Sequence, residues 1–184
     1  MAITNPTTGV WVNSDGLRVT FGATEGVHCE SGEYNELSST HYTEFDVTFS
    51  QVALGTGDTA VYILDYGTVF PQTAIIDKVE FVTGTAWATD TAINFGFVRR
   101  SDFTTIIDAD GLVNSIILGV RDAAGETTTI TPGGTYSGAL MGVQAGIDAT
   151  YDAVVCTYYE GSAPTAGTGK LRIFWRYAVD TVQS

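Results

Sequence analysis

The stretch TEFDVTFSQV, residues 43–52, decides the fold class. Phe45, Val47 and Phe49 alternate in it with acidic and hydroxyl side chains. This period of two predicts a β-strand with one buried face, because successive side chains of a strand point to opposite sides of a sheet. Similar alternation, or a short apolar run, recurs in GVWVN (9–13), GLRVTF (16–21), a short piece near 26–29, AVYILDY (60–66), IIDKVEFV (75–82), AINFGFVRR (92–100), ALMGVQA (139–145), AVVCTYY (153–159) and KLRIFWRYAV (170–179).

Turn clusters separate these stretches. The length of 184 residues favours one domain with a sizeable core. Roughly eight to ten short strands punctuated by turns predict an all-β chain that folds as a single jelly-roll or other β-sandwich. We expect residues 13–184 to form this domain and the polar residues 1–12 to form an N-terminal arm. The clearest turn signals are NSDG (13–16), LGTGD (54–58), TPGGT (131–135) and SAPTAGTG (162–169).

One segment, DADGLVNSIILGVRDAAG (108–125), departs from the strand pattern. Leu112, Ile116 and Val120 recur in it at the four-residue spacing of a helix. An aspartate at its start and a glycine at its end suit the two ends of a helix. The spacing predicts one short helix around 110–120, with a strand as the competing interpretation, because SIILGV is rich in β-branched residues.

The charge balance excludes one class of partner. The chain has 21 acidic and 8 basic residues, for a net charge of -13. A protein that binds nucleic acid through phosphate contacts normally carries a basic surface, so no nucleic-acid partner is expected. No apolar run approaches the roughly 18 residues that span a bilayer, so no membrane partner is expected either.

The opening segment and the cysteines bear on the compartment. MAITNPTTGVWV (1–12) has neither the basic nor the apolar region of a signal peptide, so we expect synthesis in a reducing cytoplasm. Cys156 lies in an apolar run, where cysteine acts as a small buried hydrophobe. Cys29 follows His28 in a segment that we expect to form a loop. A disulfide between the two is not needed at this size, and their pairing stays open.

No group of residues in the sequence has the pattern of a known type of catalytic site. The two histidines, His28 and His41, have no nucleophile on a sharp Gly-x-Ser-x-Gly turn to activate, since the serine of GTYSG (134–138) stands one place late. With Cys29 the histidines make three zinc-type ligands at irregular spacing. DADG (108–111) resembles the start of a calcium loop without its closing glutamate. We therefore expect no catalytic residue, metal or cofactor, and a protein that is not an enzyme.

The last strand carries an unusual concentration of positive charge. In KLRIFWRYAV, Lys170, Arg172 and Arg176 fall on the face opposite Leu171 and Ile173. These cations either pair with the protein's own carboxylates on neighbouring strands or form a docking stripe for an acidic partner or a second subunit. The remaining candidates for that docking or subunit interface are Arg99 and Arg100, at the end of another strand, and Trp11.

Aromatic residues provide a second candidate site. Exposed Trp and Tyr side chains of a β-sandwich can stack on sugars, so a carbohydrate-binding module is an alternative interpretation. Trp11, Trp87 and Trp175 all lie in strand-like runs, however, where packing in the core is the ordinary role of tryptophan.

The stretch AVYILDYGTVFPQTAIIDKVEFVTGTAWATDTAINFGFVRRSD (60–102), followed by DGLVNSIILGV, resembles the small jelly-roll decoration, or cement, proteins of tailed bacteriophages. The likeness lies in the order of segments, an apolar hairpin followed by the INFG strand and then the segment with helical spacing. It covers about half of the chain and transfers no functional residue by position.

The resemblance implies a non-enzymatic virion protein on the capsid exterior, made in the cytoplasm of the host bacterium. Its partners would be the major capsid protein and itself, as a homotrimer that clamps the junctions between capsid subunits. The alternative is a phage tail or fibre domain, or another β-sandwich, that binds host carbohydrate.

Overall fold

The computed structural model describes residues 10–12, 18–20, 40–88, 91–143, 146–148 and 150–178. The chain divides into two compact units, Met1–Ser39 with Val179–Ser184, and Thr40–Ala178. In the first unit, β1 (Val10–Val12) pairs antiparallel with β2 (Arg18–Thr20), which places Trp11 opposite Val19. The arm at 1–12 and the domain bounds of 13–184 stay predictions.

The second unit is a β-sandwich. Its strands are β3 (His41–Thr48), β4 (Tyr62–Ile63), β5 (Ala74–Thr85), β6 (Ala92–Arg99), β7 (Ile106–Ile117), β8 (Thr127–Ile130), β9 (Ala153–Glu160) and β10 (Thr168–Tyr177). They form two antiparallel four-stranded sheets, with the orders β3-β10-β5-β8 and β4-β9-β6-β7. Successive strands mostly alternate between the sheets, and the last strand lies beside the first, which is the double Greek-key arrangement of a jelly-roll. This confirms the all-β prediction.

The core lies between the two sheets. Phe70 is fully buried, with its ring centroid 5.6 Å from that of Phe97 and 5.5 Å from that of Trp175. Each such buried side chain contributes about 1.5–3 kcal/mol to the free energy of unfolding. The first sheet contributes Phe45, Val47, Val79, Phe81, Leu171 and Ile173, and the second contributes Ile93, Phe95, Phe97, Val113 and Val155.

A β-bulge at Asp77 changes which residues of β5 point into the core. Strict alternation over 75–82 would place Asp77 on the same face as Val79. The structure instead pairs Ile76 with Trp175 and Lys78 with Phe174, so Asp77 is an extra residue in its strand. Ile76 and Val79 are both fully buried as a result. The alternation predicted for this strand is therefore wrong on the N-terminal side of Asp77.

The predicted short helix around 110–120 is wrong. The segment forms β7, and only Leu118–Val120 makes one 3-10 turn. Phe97 lies opposite Asp108 and Phe95 opposite Val113, so β7 advances five residues while β6 advances two. A bulge of extra residues therefore interrupts β7 between Asp108 and Val113. A four-residue spacing does not distinguish a helix from a strand, because residues an even number apart share one face of a regular strand. Leu112 and Ile116 are fully buried in β7, whereas Val120, which lies beyond the strand, is 58% exposed.

Two other elements differ from the sequence expectation. The predicted strand at 139–145 is wrong over its described residues, which form turns with one bridge between Met141 and Ile76. Gly142 has φ +69°, which interrupts a strand. β8 was not predicted, because TTTI has only one strongly apolar side chain. A single turn of helix, α1 (Phe49–Val52), follows β3. Within the described part, no helix is long and apolar enough to span a bilayer.

Candidate functional site

The predicted cation stripe lies on the outer face of the first sheet. Along β10, Leu171 and Ile173 are fully buried, while Lys170, Arg172 and Arg176 alternate with them and are partly exposed. β10 is flanked by β3 and β5, so these cations face carboxylates on both neighbouring strands. We call this outer surface of β3, β10 and β5 the β10 face.

Carboxylates on the flanking strands pair with every cation of the stripe. Lys170 pairs with Glu44 and with Asp46, whose Oδ1 is 3.2 Å from the ammonium nitrogen. Among the described residues, the ion pairs on the face are Lys170–Glu44, Lys170–Asp46, Arg172–Glu44 at 2.9 Å, Arg172–Glu80 at 3.9 Å, Arg176–Asp77 at 3.0 Å and Lys78–Glu80 at 3.0 Å. Four cations and four carboxylates take part in these pairs, so the stripe is part of a charge-balanced network.

Glu44 is the centre of this network. Hydrogen bonds from Lys170, Tyr42 and Arg172 lower the pKa of its carboxyl to about 2. The same contacts raise the pKa of Lys170 and of Arg172. Exposed pairs of this kind add little to the free energy of unfolding. These contacts instead order the surface, because the Glu44 carboxylate holds the side chains of Tyr42, Lys170 and Arg172 in fixed positions.

Aromatic rings complete the β10 face. The ring of Tyr42, which is 53% exposed, lies 5.3 Å from that of Phe174, and the Lys78 ammonium lies 4.0 Å above the Phe174 ring. On the opposite, core-facing side of the same sheet, His41 stacks on Trp175 at 4.5 Å between ring centroids. The His41 ring therefore packs against the protein as the first residue of β3, and not in the loop that the sequence favoured.

Arg99 and Arg100 lie elsewhere. Arg99 ends β6 in the second sheet, so these two residues do not extend the β10 stripe. The Arg99 guanidinium lies 4.2 Å from the centre of the Tyr151 ring, and its Nε is 3.5 Å from Asp148, an ion pair without a hydrogen bond. Arg100 is exposed, and its backbone amide donates to the carbonyl of Asp152 over 2.9 Å.

An open cleft of about 430 Å³ adjoins Arg100, and we call it the end cleft. The loops before β5, after β6 and before β9 form it. Its lining combines two aromatic rings with hydroxyl, amide and charged groups: Gln72, Arg100, Ser101, Phe103, Thr150, Tyr151 and Asp152.

The other sequence candidates behave as structural residues or fall outside the described part. Trp87 and Trp175 are buried in the core, as expected, and nothing is described of the Trp11 side chain. Cys156 is buried and outside any disulfide described, and its burial raises the pKa of the thiol to about 12. His28 and Cys29 lie outside the described residues.

The DADG segment lies in the β7 bulge. Burial and the neighbouring Asp110 raise the pKa of Asp108 to about 6. Over the ranges that the structure describes, no three His, Cys, Asp or Glu side chains are grouped to hold a metal ion. The two aspartates are therefore a close carboxyl pair within one strand.

Sequence reasoning missed the exposed aromatics, Tyr66, Phe103 and Tyr151. The strand pattern does not indicate these three residues, because they lie in loops. A usable signal is present in DYGT (65–68) and DFTT (102–105), where an aspartate precedes an aromatic residue and a threonine follows two places later. The aspartate and threonine form a turn that leaves the ring outside.

No protein-family model matches the sequence, and no curated protein matches it. Three similar solved chains belong to phage capsid structures, at low identity. A chain of the acidic stable capsid of Helicobacter pylori bacteriophage KHP30 is 20% identical, over 77% of this chain and 90% of that one, with a TM-score of 0.43. A chain of the capsid of Ralstonia phage GP4 is 12% identical, over 76% and 85%, with a TM-score of 0.46. A chain of the cyanophage Pam1 capsid asymmetric unit is 15% identical, over 92% and 97%, with a TM-score of 0.43.

Proposed function

We propose that the protein is a structural virion protein that binds the outside of a phage capsid as a decoration protein. It docks through the β10 face on the major capsid protein, associates with itself as a trimer, and stabilises the contacts between capsid subunits. The observation that carries the proposal is the pre-ordered, charge-balanced network on this face.

The β10 face contains residue types that are enriched in protein interfaces, beside its paired lysines and carboxylates. Arginine and aromatic residues are enriched in protein interfaces, and Arg172, Tyr42 and Phe174 lie side by side here. Charges of both signs fix the orientation of a partner, because a misplaced partner meets like charges. Glu44 already holds Tyr42, Lys170 and Arg172 in place, so docking costs little further side-chain entropy.

The mechanism is thermodynamic linkage. A protein that binds the assembled shell, and not the dissociated subunits, shifts the equilibrium toward assembly. At a free concentration of about 100 times the dissociation constant, each occupied site contributes about 2.7 kcal/mol. A rigid jelly-roll suits this role, since it loses little conformational entropy when it binds.

Binding to undecorated capsids tests the proposal. The protein is mixed with capsid shells that lack decoration, and the bound copies are counted after sedimentation. We expect saturable binding at a fixed number of copies per capsid subunit, and a trimer when the free protein is sedimented alone. Absence of saturable binding would refute the decoration function, and a free monomer would refute the trimer.

Charge reversal tests the docking face. The double substitution Arg172→Glu and Arg176→Glu places six carboxylates together with two lysines on the β10 face, and we expect at least tenfold weaker capsid binding. Arg100→Glu, which reverses an exposed arginine outside this face, is the matched control and should bind like the wild type. Equal binding of the double variant at moderate salt would assign docking to another surface.

Carbohydrate binding is the second candidate function. The aromatic and polar lining of the end cleft favours it, and this site is compatible with a decoration protein as well as with a tail or fibre domain.

A further inference from the structure

Three exposed aromatic side chains gather at the end cleft. Tyr66 is 59% exposed, Tyr151 38% and Phe103 37%. Phe103 and Tyr151 line the cleft, and the ring of Tyr66 contacts that of Phe103 edge-on with 5.0 Å between centroids. Exposed rings scattered over a surface need no explanation, whereas a group of them beside a cleft marks a binding site.

An aspartate fixes the turn that presents Phe103. Asp102 Oδ1 accepts the backbone amides of Thr104 and Thr105, both over 2.9 Å, and Oδ2 accepts the Thr105 hydroxyl over 2.7 Å. These hydrogen bonds lower the pKa of Asp102 to about 2. The loop between β6 and β7 is therefore held in one conformation with the ring of Phe103 outside.

The other two aromatic residues are presented in the same way. Asp65, next to Tyr66, accepts the amide of Gly67 over 2.9 Å and the hydroxyl of Thr68 over 2.6 Å. Asp148 accepts the amide of Tyr151 over 3.1 Å. Each of the three aromatic residues thus lies in a turn that hydrogen bonds to an aspartate stabilise. Such pre-organisation lowers the entropy cost of binding a ligand.

The backbone of Phe103 is strained. Its φ is +56°, a left-handed conformation that bulky side chains rarely adopt. Its amide donates to the carbonyl of Arg99 over 3.0 Å, which holds the residue in that conformation. Strain of this kind persists where the surrounding structure enforces it, and it is concentrated at ligand-binding sites.

The polar lining indicates the chemistry of the ligand. Asp152, Gln72 and Arg100, whose side chains carry a carboxylate, an amide and a guanidinium, line the cleft together with the two rings. The Asp152 carboxylate also accepts the backbone amide of Gln72 over 3.3 Å. Stacking on aromatic faces combined with hydrogen bonds from planar polar groups suits a pyranose ring, which has an apolar face and a rim of hydroxyls. The volume of about 430 Å³ is within the range of about 300–1,000 Å³ that small-molecule sites have.

We propose that the end cleft binds a neutral oligosaccharide, with Phe103 and Tyr151 as stacking platforms and with Arg100, Asp152 and Gln72 as hydrogen-bonding partners. Acidic sugars fit less well, because Asp152 lines the cleft and the whole chain has a net charge of -13. The inference rests on the second candidate function, carbohydrate binding, and is independent of capsid docking, since the residues that line the cleft lie outside the β10 face.

The test is an array of oligosaccharides probed with the full chain. The array carries neutral hexose and N-acetylhexosamine oligosaccharides beside sialylated and uronate-containing ones, and the strongest neutral binder is then titrated by calorimetry. We expect signal on neutral glycans, and about tenfold or greater weakening by Phe103→Ala and by Tyr151→Ala, the effect of about 1.4 kcal/mol from one lost stacking contact. No signal, or signal on acidic glycans alone, would overturn the proposal.

Tyr42→Ala is the matched control, because it removes an exposed tyrosine from the β10 face and not from the cleft. It should leave the sugar affinity unchanged, and the two cleft variants should still bind capsids. If Phe103→Ala melts at a much lower temperature than the wild type, Tyr151→Ala and Arg100→Ala carry the test. Sugar binding that survives these substitutions would place the ligand outside the end cleft.

Discussion

Replacing Asp108 by asparagine should stabilise the protein at neutral pH. Burial and the nearby carboxyl of Asp110 raise the pKa of Asp108 to about 6, compared with about 3.9 for an exposed aspartate. A carboxyl whose pKa is higher in the folded state opposes folding once it is ionised. The destabilisation is therefore absent below about pH 4, grows as the pH rises to about 6, and is complete above that value.

The size of this destabilisation follows from the pKa shift of Asp108. Two pKa units correspond to about 2.7 kcal/mol. Asp108 is only partly buried, so water screens its charge, and we expect about 1 kcal/mol. Asparagine retains the side-chain oxygen that accepts the amide of Asp110, which lies 3.3 Å from Asp108 Oδ1. The substitution thus removes a charge and keeps the acceptor.

Urea unfolding at about pH 4 and about pH 7.5 measures the effect. The Asp108→Asn variant should gain about 1 kcal/mol over the wild type at the higher pH and much less at the lower pH. Asp122→Asn, at an exposed position, is the control and should change stability little at either pH. A gain of equal size at both pH values would show that ionisation of Asp108 is not its cause, and a loss at pH 7.5 would refute the reasoning.

Two further predictions concern packing. Gly96→Ala should cost at least about 2 kcal/mol in urea unfolding, because its Cβ would overlap the backbone of Asp108 and Ala109, whereas Gly57→Ala, where a Cβ has open space, should be nearly neutral. Equal stability of the two variants would contradict the close approach of β7 to β6. Cys156, whose thiol pKa burial raises to about 12, should react with maleimide at about pH 8 at least a hundredfold more slowly in the native protein than in urea, as measured by peptide mass mapping. Fast native labelling of that peptide would contradict the buried position.

The proposed docking and sugar sites use different parts of the sandwich. The β10 face is the outer surface of regular strands, where cross-strand pairs order the side chains. The end cleft is built from loops, each of which an aspartate holds in place. Because the two proposals rest on different residues, the Arg172/Arg176 and the Phe103/Tyr151 variants test them separately.

The alternation of apolar and polar residues predicted the buried face of a strand correctly where its pairing with the neighbouring strands is regular. The sequence predicted which side of β10 is buried, because Leu171 and Ile173 pair with β3 and β5 without interruption. It was wrong where a bulge inserts extra residues, at Asp77 and in β7 near Asp108. A bulge is set by how two strands fit together, and the spacing within one strand does not reveal it.

The sequence by itself determined the architecture of this protein: an all-β sandwich follows from short alternating strands, because the side-chain period is a property of each strand alone. The tertiary structure alone decided which carboxylates pair with the cations of β10 and which exposed aromatic residues lie close together. Glu44 and Lys170 are 126 positions apart, and Phe103 and Tyr151 belong to different loops. Such pairs come together only when the sheets form, since the register between strands fixes which distant side chains become neighbours.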